Sequence, residues 1–319
     1  MRAAVCPHYG PPEVVRVEEL PVPEPGPGEV LVRVHAAAVN FPDVLLVANE
    51  YQISVPPPFV PGSEFAGVVI AAGTGCADIS VGDRVSGTGL HGAFAEQLVV
   101  AADKVARIPS GVDFADAAAF GVTYRTAYHC IRSVARAGAG DELIVLGAGG
   151  GVGSAAVALG ARLGLSVTAV ASSDDKLDMA KSLGARHLIN HRTGDLRAAL
   201  RKALPEGADA VIDPVGGDLS EPALRALRRG GRFVTVGYAS GTVPRIPLNL
   251  VLVKGIHIRG FQFQDIAPEE FRRNESELAE LLSAGMRPHI GARFPLADSS
   301  AALRLVADGR AVGKVIVDL

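Results

Sequence analysis

The chain has 319 residues, 48% of them hydrophobic and 20% charged, which suits two modest domains and supplies ample apolar material for their cores. A net charge of −3, from 31 basic and 34 acidic residues, excludes a basic field for nucleic acid or for an anionic membrane surface. No run of about 18 apolar residues reads as a membrane span, the start MRAAVCPHYGPPEVV lacks a signal-peptide core, and the scattered cysteines Cys6, Cys76 and Cys130 read as a reduced, cytoplasmic protein without disulfides.

The first part of the chain is β-rich. GEVLVRVHA, from Gly28 to Ala36, alternates apolar and polar residues as a half-buried strand does. FAGVVIAAG and FAEQLVVA are further short apolar runs bounded by turn residues. Prolines at 21–27 and 56–61 mark turns and extended surface loops rather than an interdomain linker. From about Ala117 the pattern changes to apolar runs alternating with helix-length segments. ELIVLG (142–147) predicts a buried strand, and GSAAVALGARLG (153–164) a helix stopped by Gly164. SVTAVAS (166–172) predicts the next strand, and DDKLDMAKSLGA a helix stopped by Gly184. RHLIN, ADAVID and GRFVTVG continue the series, so this region is α/β with a doubly wound parallel sheet. IPLNLVLVKGIHIRGF has the apolar strand character of a sheet edge suited to pairing with a second copy. The stretch 264–319 holds two more helical patterns and closes on the strand GKVIVDL.

VLGAGGGVGS follows a predicted buried strand and opens a predicted helix, the context of a dinucleotide-binding turn. The frame that fits is Ala148-Gly149-Gly150-Gly151-Val152-Gly153. Gly150 would let the backbone approach a pyrophosphate, Gly153 would let helix and sheet pack closely, and the helix N-terminus would present N–H groups to the phosphates. Sites for NAD carry an acidic residue about 20 positions on; the equivalent here is Ser172, with Lys176 nearby, which points to NADPH. Ser172 or Ser173 also suits a helix cap, and Asp174 and Asp175 are a counter-signal.

On AAAVNFPDVLL, PFVPGSEFAGVV, VGDRV, FGVTYRTAY, GAGGGVG, AVIDPVGG and GKVIVDL, the chain resembles the medium-chain dehydrogenase/reductase superfamily over essentially its whole length. More narrowly it resembles the zinc-independent NADPH:quinone oxidoreductases, the zeta-crystallin group. The resemblance implies a Rossmann cofactor domain over 121–263 and a β-rich GroES-like catalytic domain over 1–120 and 264–319. The superfamily's zinc alcohol dehydrogenases hold their metal at positions matching or near Asn40, Ser63 and Phe120, none of which is a zinc ligand in character. No metal is therefore expected, and reduction of an already electrophilic acceptor is favoured over alcohol oxidation.

The same resemblance places Asn40, Asp43 and Tyr51 beside the nicotinamide. Asn40 would hydrogen-bond an acceptor oxygen and Tyr51 would donate a proton or stack on the substrate; Asp43 is either catalytic or a helix cap. Glu64 reads as a structural contact. Thr123 would meet the nicotinamide amide. Val215 in DPVGG, Gly237 and Tyr238 in VGYAS, and Phe261 and Phe263 in GFQF would line the cofactor. Lys314 would lie near the cofactor or on the solvated surface. His191 stands where relatives often have Tyr near the 2′-phosphate. The expected function is NADPH-dependent reduction of quinones or related conjugated carbonyls, by a homodimer acting on small molecules and binding neither nucleic acid nor membrane. Two alternatives stand beside it: a 2-enoyl thioester or other double-bond reductase, and a low-turnover NADPH-binding sensor or structural protein. The loop ANEYQISVPPPF, free of Lys and Arg, favours a small neutral acceptor.

Overall fold

A computed structural model describes residues 1–319. In chain order the elements begin with strands β1 (Arg2–Val5), β2 (Arg16–Glu19) and β3 (Glu29–Val39), helix α1 (Phe41–Ala48), strands β4 (Glu64–Ala72), β5 (Arg84–Thr88), β6 (Gln97–Ala101) and β7 (Val105–Arg107), and helix α2 (Phe114–His129). An alternating series follows: β8 (Glu142–Leu146), α3 (Gly151–Arg162), β9 (Ser166–Ala171), α4 (Asp174–Ser182), β10 (His187–Asn190), α5 (Leu196–Ala203), β11 (Ala208–Asp213), α6 (Ser220–Ala226), β12 (Leu227–Thr235), α7 (Leu248–Lys254) and β13 (His257–Gly260). The chain ends with α8 (Pro268–Ser283), β14 (Ile290–Pro295), α9 (Ser299–Ala307) and β15 (Lys314–Asp318).

Two compact units result, Met1–Val122 with Leu281–Leu319, and Thr123–Glu280. In the first, a sheet runs β14-β15-β3-β4-β5-β7, with β6 also on β3, and β1 and β2 form a separate pair. β3 shows why alternation works: Arg33 and His35 face outward while Val32 and Val34 are buried. The inward side chains join Val44 and Leu46 of α1, Phe65, Phe94 and Leu303 of α9 in one apolar core. Strand β15 lies antiparallel to β3 with Val315 opposite Val39. This register brings Lys314 beside Asn40, although they are far apart in the chain.

In the second unit all six strands are parallel, in the order β10-β9-β8-β11-β12-β13. The first three strands in the chain run one way from the centre and the last three the other, so the order reverses between β8 and β11. Ligands of open α/β sheets bind at the carboxyl ends of strands beside such a reversal. β8 is apolar from Leu143 to Leu146, and every residue of β11, Asp209 and Asp213 included, is buried, because a parallel sheet is covered on both faces. The stops expected after α3 and α4 are present, with Gly164 at φ 80° and Gly184 at φ 103°.

Two boundaries differ from the sequence reading. Helix α8 belongs to the second unit as far as Glu280, because buried Asn274 donates to His129 Nδ1 (3.1 Å) and Ser133 Oγ (2.9 Å). The run LNLVLVK, expected to be strand, is helix α7, preceded by Pro247 and ended by Gly255 in the left-handed region at φ 59°. A short apolar run has no decisive period, so these flanking residues settle its form.

Candidate active site

The turn after β8 is built by glycines at every third position, each for its own reason. Gly147 has φ 61°, accepts a 2.9 Å bond from the Gly150 N–H, and leaves no room for a Cβ, which would stand 2.5 Å from Val215 Cγ2. A Cβ on Gly153 would lie 2.0 Å from the Gly147 oxygen, so only glycine lets α3 start this close to the strand end. Gly150 meets only the Gly147 oxygen, at 3.5 Å, and its backbone is otherwise open. Gly147 thus shapes the turn although it lies one residue before the frame; the frame's first residue, Ala148, is fully buried and its N–H bonds Val170 O at 3.0 Å. Gly150 precedes α3 without a side-chain cap, so the N–H groups of Gly151, Val152 and Gly153 form the electropositive first turn of the helix.

At the end of β9, Lys176 Nζ donates to Ser172 Oγ at 3.2 Å. Burial and the neighbouring Arg192 charge hold the Lys176 ammonium below its usual pKa. Burial, Arg192 and Lys176 likewise hold the His191 imidazole below its usual value. Three basic groups therefore lie close enough to feel one another's charge, and one of them, Lys176, is bonded to Ser172. Arg192, which the sequence reading passed over, is one of them. The counter-signal is weakened because Asp174 accepts a 2.9 Å bond from Asn190 Nδ2, while Asn190 Oδ1 accepts from the Arg192 backbone N–H at 3.0 Å. Across the strand reversal, buried Asp213 ties the next loop: its Oδ1 accepts from Val215 N (2.9 Å) and Gly216 N (2.8 Å), and its Oδ2 from Ser220 Oγ (2.6 Å). Gly237 follows β12 with its N–H turned to Asp213 O at 3.5 Å, and Tyr238 is exposed. Phe261 and Phe263 form an edge-to-face pair 4.8 Å apart, and Phe263 also meets His129 and Phe271. Thr123 is buried in α2.

The first unit holds a buried polar cluster. Asn40 precedes α1 in an extended conformation and donates its N–H to Asp43 Oδ2 at 2.7 Å. Its Nδ2 reaches Glu64 Oε2 (3.1 Å), Ser63 Oγ (3.3 Å) and Ala38 O (3.4 Å). Its Oδ1 accepts from Lys314 Nζ at 2.7 Å. Lys314 also reaches Glu64 Oε2 and Val39 O, each at 3.3 Å, and Glu64 Oε1 accepts from the Val122 N–H at 2.6 Å. Lys314 is 3% exposed and Glu64 1%, so this is a buried ion pair and not a solvated surface lysine. Asp43 is wholly buried and its Oδ1 has no hydrogen-bond partner. Burial drives its carboxyl up to about 7, against the opposing pull of the Asn40 N–H, the Ser63 hydroxyl and Lys314.

The cap reading of Asp43 is therefore the one the geometry bears out. Asn40 departs from expectation: both ends of its amide are spent inside the protein, leaving neither for an acceptor oxygen. Tyr51 stands outside the network, half-buried against the apolar core of the first unit.

Residues 26–110 match the alcohol dehydrogenase GroES-like domain family and residues 151–281 the zinc-binding dehydrogenase family. Over its full length the chain is 36% identical to quinone oxidoreductase-like protein 2 of Mus musculus, covering 92% of that protein. The chain belongs to the quinone oxidoreductase group of the medium-chain dehydrogenase/reductases. An Escherichia coli quinone oxidoreductase solved in complex with NADPH superposes with a TM-score of 0.91 at 27% identity, each chain covered completely. A mycocerosic acid synthase-like polyketide synthase of Mycobacterium tuberculosis is 31% identical over 92% of this chain, which spans 14% of that larger protein.

The quinone oxidoreductase fold explains which site residues were readable. Gly150, Gly153 and Ser172 lie in motifs whose spacing is local. Lys314 and Glu64 meet only through strand register and helix packing, and no spacing announces their pairing.

Proposed function

We propose that this protein reduces quinones or related conjugated carbonyls with NADPH, by hydride transfer and without a metal. The observation that carries the reading is the Lys176 ammonium bonded to Ser172 with the charges of His191 and Arg192 close to it and Asp174 bonded to Asn190, a setting that suits the dianionic 2′-phosphate of NADPH. The open first turn of α3 suits the pyrophosphate. When bound, NADPH supplies the hydride from its nicotinamide C4; acceptor, NADPH and one proton give hydroquinone and NADP⁺.

The donor set does not suit zinc. Asn40 and Ser63 replace ligand-type residues, no group of three His, Cys, Asp or Glu stands together to hold a metal, and of the two buried carboxylates beside Asn40, Glu64 is already paired with Lys314 and Asp43 caps helix α1. Lys314 fixes Asn40 in one orientation, which makes Asn40 part of the frame rather than a group that binds the acceptor. Tyr51, whose hydroxyl is not consumed by the network, is the group that orients or protonates the acceptor. The protein works as a cytoplasmic homodimer formed through the edge strand β13, whose residues are all exposed.

The match to a polyketide synthase segment favours one second reading, reduction of a 2-enoyl thioester. Steady-state NADPH oxidation with 1,4-benzoquinone, 9,10-phenanthrenequinone and crotonyl-CoA separates the two, and turnover with a quinone is expected. Tight NADPH binding with no turnover on any acceptor would instead mark a sensor or structural role. Tyr51→Phe adds a check: a large loss of kcat on the enoyl substrate with quinone reduction untouched would overturn the quinone assignment.

A further inference from the structure

We propose that Gly149 determines cofactor specificity by seating the stem of Lys176, a role separate from any contact between the glycine turn and the pyrophosphate. The inference deepens the NADPH reading above and rests on it. Gly149 needs no special backbone conformation, since its φ lies outside the left-handed region, and it is not the glycine that admits the helix, which is Gly153. What requires glycine at 149 is a side chain. A Cβ there would stand 2.4 Å from Lys176 Cγ, 2.4 Å from Cδ and 2.6 Å from Cβ. The nearest atoms include the root of the lysine, which α4 holds in place, so the clash is not relieved by moving only the tip of a flexible chain. Gly149 is itself buried, which means the Lys176 stem lies across the turn as a covering layer. That path carries Nζ to Ser172 Oγ at the end of β9. Any larger residue at 149 pushes the stem aside or shifts the first turn of α4, and in either case the ammonium leaves Ser172.

The glycine turn therefore has a division of labour. Gly147, Gly150 and Gly153 shape the backbone for any dinucleotide, while Gly149 serves only the form that carries an extra phosphate.

The test measures dissociation constants for NADPH and NADH, by fluorescence titration, in the wild type, Gly149→Ala, Lys176→Ala and the double variant. In Gly149→Ala the preference for NADPH is expected to fall about tenfold, the equivalent of about 1.4 kcal/mol, with NADH binding little changed. In the Lys176→Ala background the Gly149→Ala change is expected to leave the preference unaltered, because the two residues act through one contact. An equal loss of NADPH and NADH affinity in Gly149→Ala would overturn the inference and mark Gly149 as part of the pyrophosphate turn. An unchanged preference would overturn it as well. If Gly149→Ala is too unstable to titrate, combining it with Lys176→Gly, which removes all three clashing atoms, should recover the thermal stability of Lys176→Gly alone; failure to do so refutes the seating contact. A wild type with no preference for NADPH would overturn the cofactor reading itself, a result distinguishable from the others because it requires no variant.

Discussion

Asp43→Asn isolates the energetic consequence of burying a carboxyl that has one unpartnered oxygen. Asp43 ionises near its ordinary value of 3.8 in the unfolded chain and at about 7 in the folded one. Between those values the folded state keeps a proton that the unfolded state has released. Stability is therefore greatest below the lower value, falls as pH rises through the window, and levels off above the upper one. A gap of about three pKa units corresponds to about 4 kcal/mol, at about 1.4 kcal/mol per unit. Asparagine keeps the acceptor for the Asn40 N–H and cannot ionise. Its Nδ2 falls where Oδ1 now lies and costs a pH-independent increment of about 1–3 kcal/mol if it finds no acceptor. The difference in unfolding free energy between the variant and the wild type should then shift in favour of the variant by roughly 4 kcal/mol from pH 4 to pH 8. Urea unfolding at a series of pH values, followed by circular dichroism, measures this. The constant increment cancels in the pH slope. Parallel stability curves for the two proteins across that range would refute the reasoning.

Lys314→Met strands Glu64 in the interior and should destabilise the protein by about 3–5 kcal/mol, while Lys314→Met with Glu64→Gln recovers much of the loss, as read by thermal unfolding. Arg192→Ala should weaken NADPH binding by about tenfold, one charge-assisted contact, with NADH binding unchanged in the same titration. His191 has its pKa depressed when the site is empty, and a bound phosphate raises it, so NADPH binding should take up protons near neutral pH. Calorimetry in buffers of different ionisation enthalpy should detect the uptake, and His191→Ala should remove it. Leu252→Glu, at the exposed apolar face of α7 where Leu252 is 83% exposed, should shift a dimer to monomer in light scattering without loss of folding.

The two-part architecture was legible because it rests on periodicity. Strand β3 alternates, β8 is a nearly continuous apolar run, and Gly164 and Gly184 end their helices where they stand in the sequence. The dinucleotide turn was legible for the same reason, since a strand, a turn and a helix are consecutive in the chain. Gly147 shows the limit of that approach: its need for glycine comes from the contact with Val215 across the reversal of strand order, which no local spacing announces. Helix α7 was misread because LNLVLVK suits either period. Asp174 and Asp175 argued against NADPH as bare charges. The bond from Asn190, on the neighbouring strand, changes what Asp174 presents, and cross-strand neighbours are invisible to a linear reading.

The first-unit cluster joins two features that looked unrelated. One was the lack of zinc-ligand character at Asn40 and Ser63; the other was a lysine, Lys314, near the end of the chain with no evident partner. A buried carboxylate requires positive charge or hydrogen-bond donors close by. Glu64 is 1% exposed and receives the Asn40 amide, the Val122 N–H and the Lys314 ammonium. Every one of its contacts is thus made by protein. The same lysine holds the Asn40 carbonyl, which turns the Asn40 amide toward Glu64 and Ser63 and away from any acceptor. Loss of the ligands and burial of the lysine are on this account a single change: the cation that neutralises Glu64 is covalently part of the chain. An Asn40→Cys, Ser63→His, Phe120→Cys variant, which puts a ligand type at all three positions, should accordingly fail to bind zinc tightly by metal analysis while Lys314 remains. Stoichiometric zinc in that variant would show that Lys314 does not occupy the electrostatic role assigned to it.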